Sequence, residues 1–183
     1  PQEVIDQLVN IYNKGQLSLV VEQAQALTKQ YPETFIFWNI LGVSAAQIGM
    51  ADQAIVALKK VISMKPDFAE VYDNIGIVFQ GQGKLDEAIN NYKKSISLNP
   101  NYANPYYNMA NILKVQDKLD EAVDAYKKSI ELKPDYHKAY GNMATTLQKQ
   151  GKLEEAIEAY KSSIFIMPNY GETYSNMGNA LQQ

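Results

Sequence analysis

Residues 69–102 read AEVYDNIGIVFQGQGKLDEAINNYKKSISLNPNY, and residues 103–136 read ANPYYNMANILKVQDKLDEAVDAYKKSIELKPDY. The two stretches are equally long and align position for position: Tyr72 with Tyr106, Leu85-Asp86-Glu87-Ala88 with Leu119-Asp120-Glu121-Ala122, Ser95 with Ser129. Working outward, Pro32, Pro66, Pro100, Pro134 and Pro168 recur every 34 residues, and Gly15, Gly49, Gly83, Asp117 and Gly151 recur with the same period halfway between them. Proline cannot continue a helix and pushes the residue before it out of the helical region. Glycine just past a helix end takes the left-handed cap, and aspartate tolerates it better than most residues. Each period is therefore two helices of about 13 residues joined by short turns, a helical repeat rather than a sheet.

The pairing of the two helices is readable from side-chain size. Tyr72, Gly76 and Phe79 share one face of the first helix, and Leu85, Ala88 and Tyr92 share one face of the second. Matching 72 with 92, 76 with 88 and 79 with 85 gives a constant sum, as an antiparallel hairpin requires. Small residues at 76 and 88 let the backbones approach, with the larger pairs filling space on either side. The same arithmetic holds for Trp38/Leu58 with Gly42/Ala54, Tyr106/Tyr126 with Ala110/Ala122, and Tyr140/Tyr160 with Ala144/Ala156. The aromatic residues are expected in the core rather than on a surface that stacks bases or sugars.

This pattern, an aromatic followed by a small residue four positions on, alanine twelve beyond that and a closing proline, resembles the tetratricopeptide repeat. In that family's register the copies are 1–34, 35–68, 69–102, 103–136, 137–170 and a half repeat 171–183, a single array over 1–183. The first copy is diverged, with Val4 for the aromatic and Leu8 and Val20 at the small positions. The resemblance implies an all-α, right-handed superhelical solenoid of antiparallel helix pairs, its first helices lining a concave groove and its second helices facing outward.

Composition excludes several other functions. The 17 basic residues are all lysine and face 20 acidic ones, for a net charge of −3. An acidic chain without guanidinium forks is not expected to bind nucleic acid. There is no cysteine, hence no disulfide, thiolate metal site or thiol nucleophile. The longest apolar stretch, Phe35 to Ala46, is interrupted by Asn39 and falls short of the ~20 residues of a membrane span. The chain starts at Pro1 with no apolar leader, the mark of an excised fragment; no targeting segment is read in it, which suits the cytoplasm but leaves the compartment open. His137 is the sole histidine, without a partner to form a metal site or activate a nucleophile. Asp86-Glu87, Asp120-Glu121 and Glu154-Glu155 open successive second helices, where negative charge complements the helix dipole. The lysine doublets on the same helices form a solvated face, with Asp124 and Lys128 spaced to pair. No catalytic residue, metal or cofactor is expected.

One pattern remains outside structural need. Asn74, Asn108, Asn142 and Asn176 recur two residues after the ring of each first helix. Asparagine is a poor mid-helix residue, yet its amide offers donors and an acceptor that can pair with the main chain of an extended peptide whatever its sequence. Two structural explanations compete: the amides bond a neighbouring helix, or recent duplication copied them. Tyr107, Asn111 and Lys138 complete the candidate peptide-binding set on the same face. The ladder resembles that of the tetratricopeptide region of O-linked N-acetylglucosamine transferases and related bacterial glycosyltransferases, which implies a substrate-holding role for the four asparagines. Asp6 and Ile40 stand at the matching position in the first two copies. A clamp of lysine, asparagine and arginine for a C-terminal carboxylate, as in chaperone-binding relatives, is not assembled: Lys138 matches one lysine position, but Asn142 stands at the arginine position and the earlier copies offer Asp73 and Ile77.

The expected function is a non-catalytic scaffold binding a protein or extended peptide, with the substrate-recruiting segment of a larger enzyme and a self-assembling scaffold as alternatives. The helix 171–183 is expected to expose Tyr174, Met177 and Leu181 and to support self-association.

Overall fold

The computed structural model describes residues 2–182. Among these it shows eleven α-helices and no strand: α1 (Gln2–Asn13), α2 (Leu17–Gln30), α3 (Phe35–Gln47), α4 (Ala51–Met64), α5 (Ala69–Gly81), α6 (Leu85–Leu98), α7 (Ala103–Val115), α8 (Leu119–Leu132), α9 (His137–Lys149), α10 (Leu153–Ile166) and α11 (Gly171–Ala180). Odd-numbered helices open the repeats and even-numbered helices close them. They cluster into two compact units, Pro1–Leu98 and Asn99–Gln183.

The turn inside each repeat is a left-handed cap. Gly83 has φ +74°, and Asp117, at the same position one repeat later, is held at φ +63°. The Lys84 N–H bonds the Phe79 carbonyl at 2.9 Å and the Gly83 N–H bonds that of Gln80 at 3.0 Å, the double closure of a Schellman motif. Lys118 to Leu113 and Lys152 to Leu147 repeat the longer bond at 2.9 and 3.0 Å. Turns at the prolines are held differently. In α3, α5 and α7 the ring at the fourth position of the helix donates back to the proline carbonyl: Trp38 Nε1 to Pro32 at 2.8 Å, Tyr72 to Pro66 at 3.0 Å, and Tyr106 to Pro100 at 3.2 Å.

Antiparallel pairing is present, with the small residue receiving the large one directly. A Cβ at Gly76 would lie 2.7 Å from Tyr92 Cδ1, and one at Gly42 would lie 2.6 Å from Leu58 Cγ. Tyr92 thus lies in the crossing itself, and Tyr126 and Tyr160, its equivalents in the next two repeats, are also wholly buried. Within the first unit, Leu8, Val20, Phe37, Leu58, Val61, Val71 and Ile75 form one core; within the second, Ala110, Ala122 and Tyr126 anchor one cluster and Ala144, Ala156 and Tyr160 another.

Buried serines fasten the far end of the hairpins α5–α6, α7–α8 and α9–α10. Ser95 donates to the Ala69 carbonyl at 2.8 Å, Ser129 to Ala103 at 3.0 Å, and Ser163 to His137 at 2.9 Å. Each thereby satisfies a hydroxyl that would be costly to bury alone. On the outer face Lys128 pairs with Glu131 at 3.0 Å instead of Asp124, since both neighbours lie within reach of one flexible ammonium. Helix α11 ends at Ala180, short of the expected extent, with Leu181 as its cap; Gln183 lies outside the described residues. Tyr174 and Leu181 are 47% and 61% exposed, as expected of an uncovered strip, while Met177 packs on the neighbouring cluster.

Candidate functional site

In the second unit, the first helices α7, α9 and α11 bring together most of the candidate set. Tyr107, Lys138, Asn142 and Asn176 line one cleft of about 270 Å³ with Gly141, Tyr170, Glu172 and Thr173. An adjoining cleft of about 530 Å³ is walled by Thr145, Gln148, Tyr160, Asn176, Asn179 and Gln182, none of them charged. Asn176 belongs to both, so side-chain amides are continuous from one cleft to the next. Asn108 is half-buried on α7, and Asn74, half-buried on α5, lies in the first unit.

Asn142 is engaged within the fold. Its Nδ2 donates to Tyr107 Oη at 3.1 Å and to Asn111 Oδ1 at 2.9 Å. The same Asn111 oxygen accepts from Tyr126 Oη at 2.6 Å. Tyr107, Asn111 and Asn142 are therefore one network joining α7, α8 and α9. For this copy the amide does bond a neighbouring helix. Its Oδ1 and the Nδ2 of Asn111 lie outside that network, so each residue retains one hydrogen-bonding arm. Asn176 makes no hydrogen bond to the described residues and has its whole amide available.

The cause of the network lies in a neighbouring substitution. In the flanking repeats the buried tyrosine donates to a glutamine one helix back: Tyr92 to Gln80 Oε1 at 2.7 Å and Tyr160 to Gln148 Oε1 at 3.0 Å. The equivalent of those glutamines in 103–136 is Lys114, which has no acceptor to offer, and Tyr126 turns to Asn111 instead. Sequence reasoning missed these tyrosine–amide bonds, although the recurrence of Gln and Tyr twelve residues apart was their signal.

Electrostatics follow burial. Desolvation holds the Tyr126 and Tyr92 hydroxyls well above the ordinary phenol range, aided by nearby Tyr107 and by Asp73 respectively, and pushes Tyr160 up to about 12. Asp73 is itself buried. The half-buried Lys114 is held below the usual lysine range, first by desolvation and then by Lys149, with Glu172 opposing. Tyr170 donates to Glu172 Oε2 at 2.6 Å, a bond that keeps the phenol neutral to higher pH than usual, and its ring meets His137 edge-on at 5.3 Å. Among the described residues no group of acidic or histidine side chains is arranged to hold a metal, and no helix is long and apolar enough to cross a membrane.

Family comparison agrees with this geometry. A TPR repeat model matches residues 81–117 and 146–183, and three tetratricopeptide repeat models match 36–68, 103–136 and 125–158. The chain is a tetratricopeptide-repeat protein. Solved tetratricopeptide structures share its fold. TTC0263, a thermophilic TPR protein of Thermus thermophilus, superposes with a TM-score of 0.80 over 100% of this chain and 99% of that one, at 18% identity. MamA does so at 0.73 over 89% and 95%, with 24% identity. YrrB, described as a TPR protein with an unusual peptide-binding site, gives 0.68 over 94% and 89%, with 16% identity. No curated protein sequence matches the chain.

Proposed function

We propose that this tetratricopeptide-repeat chain is a non-catalytic scaffold that binds an extended peptide by hydrogen bonds from side-chain amides to the peptide main chain. The observation that carries the reading is the pair of adjoining clefts sharing Asn176, walled by Asn142, Gln148, Asn179 and Gln182. Neutral amides supply both donors and acceptors, which matches a peptide backbone and carries little charge selectivity. Lys138 and Glu172 at one rim have opposite sign, so the salt dependence is shallow. Asn74 and Asn108 extend the same role along their own helices, Tyr107 and Asn111 orient Asn142, and Lys138 adds a donor.

The periodic asparagines and their resemblance to the glycosyltransferase-associated ladder support a second reading, in which the scaffold recruits substrates for a catalytic region of a larger protein. Isothermal calorimetry with neutral extended peptides tests the shared binding claim. Replacing Asn176 by alanine should weaken binding by about 1 kcal/mol, near fivefold, since a neutral hydrogen bond contributes ~0.5 to 1.5 kcal/mol. Unchanged affinity removes the ladder from function.

A further inference from the structure

One cation on the ladder face of the second unit lacks a partner. Lys114 of α7 stands where the flanking repeats carry Gln80 and Gln148, each accepting a hydrogen bond from a buried tyrosine. A lysine cannot accept, Tyr126 bonds Asn111 instead, and the Lys114 ammonium makes no hydrogen bond or ion pair with the described residues. Lys149 of α9 differs, since it pairs with Asp117 at 2.7 Å. An unpaired lysine is ordinary when its head reaches bulk water. Lys114 is half-buried, and desolvation is the largest influence on its ionisation, holding it below the usual lysine range while Glu172 opposes. A cation drawn from water without a counter-ion is costly, and an incoming anion offsets that cost.

The neighbouring atoms select the anion. Tyr107, Asn111 and Lys114 lie four and then three residues apart on α7, along one helix face. Tyr107 lines the cleft that holds Asn142, Glu172 and Asn176. Asn111 commits its Oδ1 to Tyr126 and Asn142, which leaves its Nδ2 as a donor on the same face as the ammonium. Neither nitrogen is among the buried polar atoms without a partner, so a ligand can reach both. Ammonium and amide N–H together are donors only, and an acceptor-only anion such as a carboxylate matches them. Glu172 is close enough to act on Lys114, and its negative charge disfavours a phosphate dianion. Main-chain pairing along the amide clefts engages the interior of a peptide, so the carboxylate belongs to an acidic side chain and not to the chain end.

We propose that Lys114 and Asn111 receive the carboxylate of an aspartate or glutamate side chain in the bound peptide, which makes the second unit select one acidic residue on an otherwise unconstrained main chain. The inference rests on the reading of the clefts as a peptide groove, and the two can fail separately.

Calorimetry on the full chain compares a neutral extended peptide, acetylated and amidated, with a set in which glutamate replaces glutamine at one position each. Glutamate at one interior position should tighten binding roughly five- to tenfold, between the effect of an exposed ion pair and that of a charge-assisted hydrogen bond. High salt should shrink the gain. Lys114→Met, which keeps the stem and removes the charge, should bind neutral and glutamate peptides equally, and Lys114→Arg should restore the preference. Asn111→Asp keeps an oxygen for Tyr126 and Asn142 but replaces the donor, and it should erase the preference as well. A neutral peptide that binds, with no glutamate at any position tightening it, overturns the proposal and leaves the peptide groove standing. A preference that persists in Lys114→Met overturns it too, as does an equal gain from a free C-terminal carboxylate or a larger one from phosphoserine at the same position. If no peptide binds, the groove reading falls and the proposal falls with it.

Discussion

Replacing Asn142 by alanine separates the two roles open to the ladder, because this side chain is tied into the fold and Asn176 is not. The substitution removes the bonds to Tyr107 Oη at 3.1 Å and Asn111 Oδ1 at 2.9 Å. At ~0.5 to 1.5 kcal/mol each, the loss is about 1 to 3 kcal/mol. Two effects soften it: alanine is the better helix former by up to ~0.7 kcal/mol, and Asn111 Oδ1 keeps the Tyr126 bond, so that acceptor is not stranded. A net destabilisation of about 0.5 to 2 kcal/mol follows. With a urea dependence of ~2 kcal/mol per molar, the unfolding midpoint read by helical circular dichroism falls by roughly 0.3 to 1 M. Asn176→Ala, which removes no such bond, should hold its midpoint or raise it. An Asn142→Ala midpoint equal to or above the parent refutes the network as a stabilising element.

Three further outcomes are expected. Asp117→Gly relieves the φ of +63° but removes the ion pair with Lys149 at 2.7 Å; since exposed pairs contribute little and glycine adopts this conformation freely, thermal unfolding should move up by the equivalent of about 0.5 to 1 kcal/mol. A lower melting temperature would contradict the strain argument. Tyr92, Tyr126 and Tyr160 are held neutral by burial, Tyr160 up to about 12. Above pH 10 the unfolded phenols therefore lose protons that the folded ones keep, and stability falls by up to ~1.4 kcal/mol per pH unit for each tyrosine, having been fully present below that pH. Urea midpoints across this range check it, and a flat profile opposes it. Appending a polar second helix after α11 should cover Tyr174 and Leu181 and abolish concentration-dependent association in sedimentation runs; association that persists unchanged has another source.

Prolines and left-handed caps act within a few residues of themselves, which is why every helix could be placed from the 34-residue period. Size pairing located the hairpin crossings, and at Gly76 the space left by the missing side chain is filled by Tyr92. Bonds whose outcome depends on reach were not legible. Whether Tyr126 finds Asn111 or position 114 depends on the end group there, and one lysine in place of glutamine redirects the network that fixes Asn142. Burial of Asp73 was hidden for a similar reason, since its position is occupied in other copies by Tyr107, Gly141 and Ser175. The division at Leu98 is invisible to a period that continues through it unchanged.

Main-chain recognition is the central claim, and backbone N-methylation tests it most directly. Calorimetry compares an extended neutral peptide, a second peptide with the same residues in shuffled order, and a third methylated on alternate main-chain nitrogens. Amide-to-backbone bonding predicts similar affinity for the first two and a loss of roughly tenfold or more for the third, as two or more hydrogen bonds are removed. Equal binding of the methylated peptide, or binding that vanishes on shuffling, would contradict it.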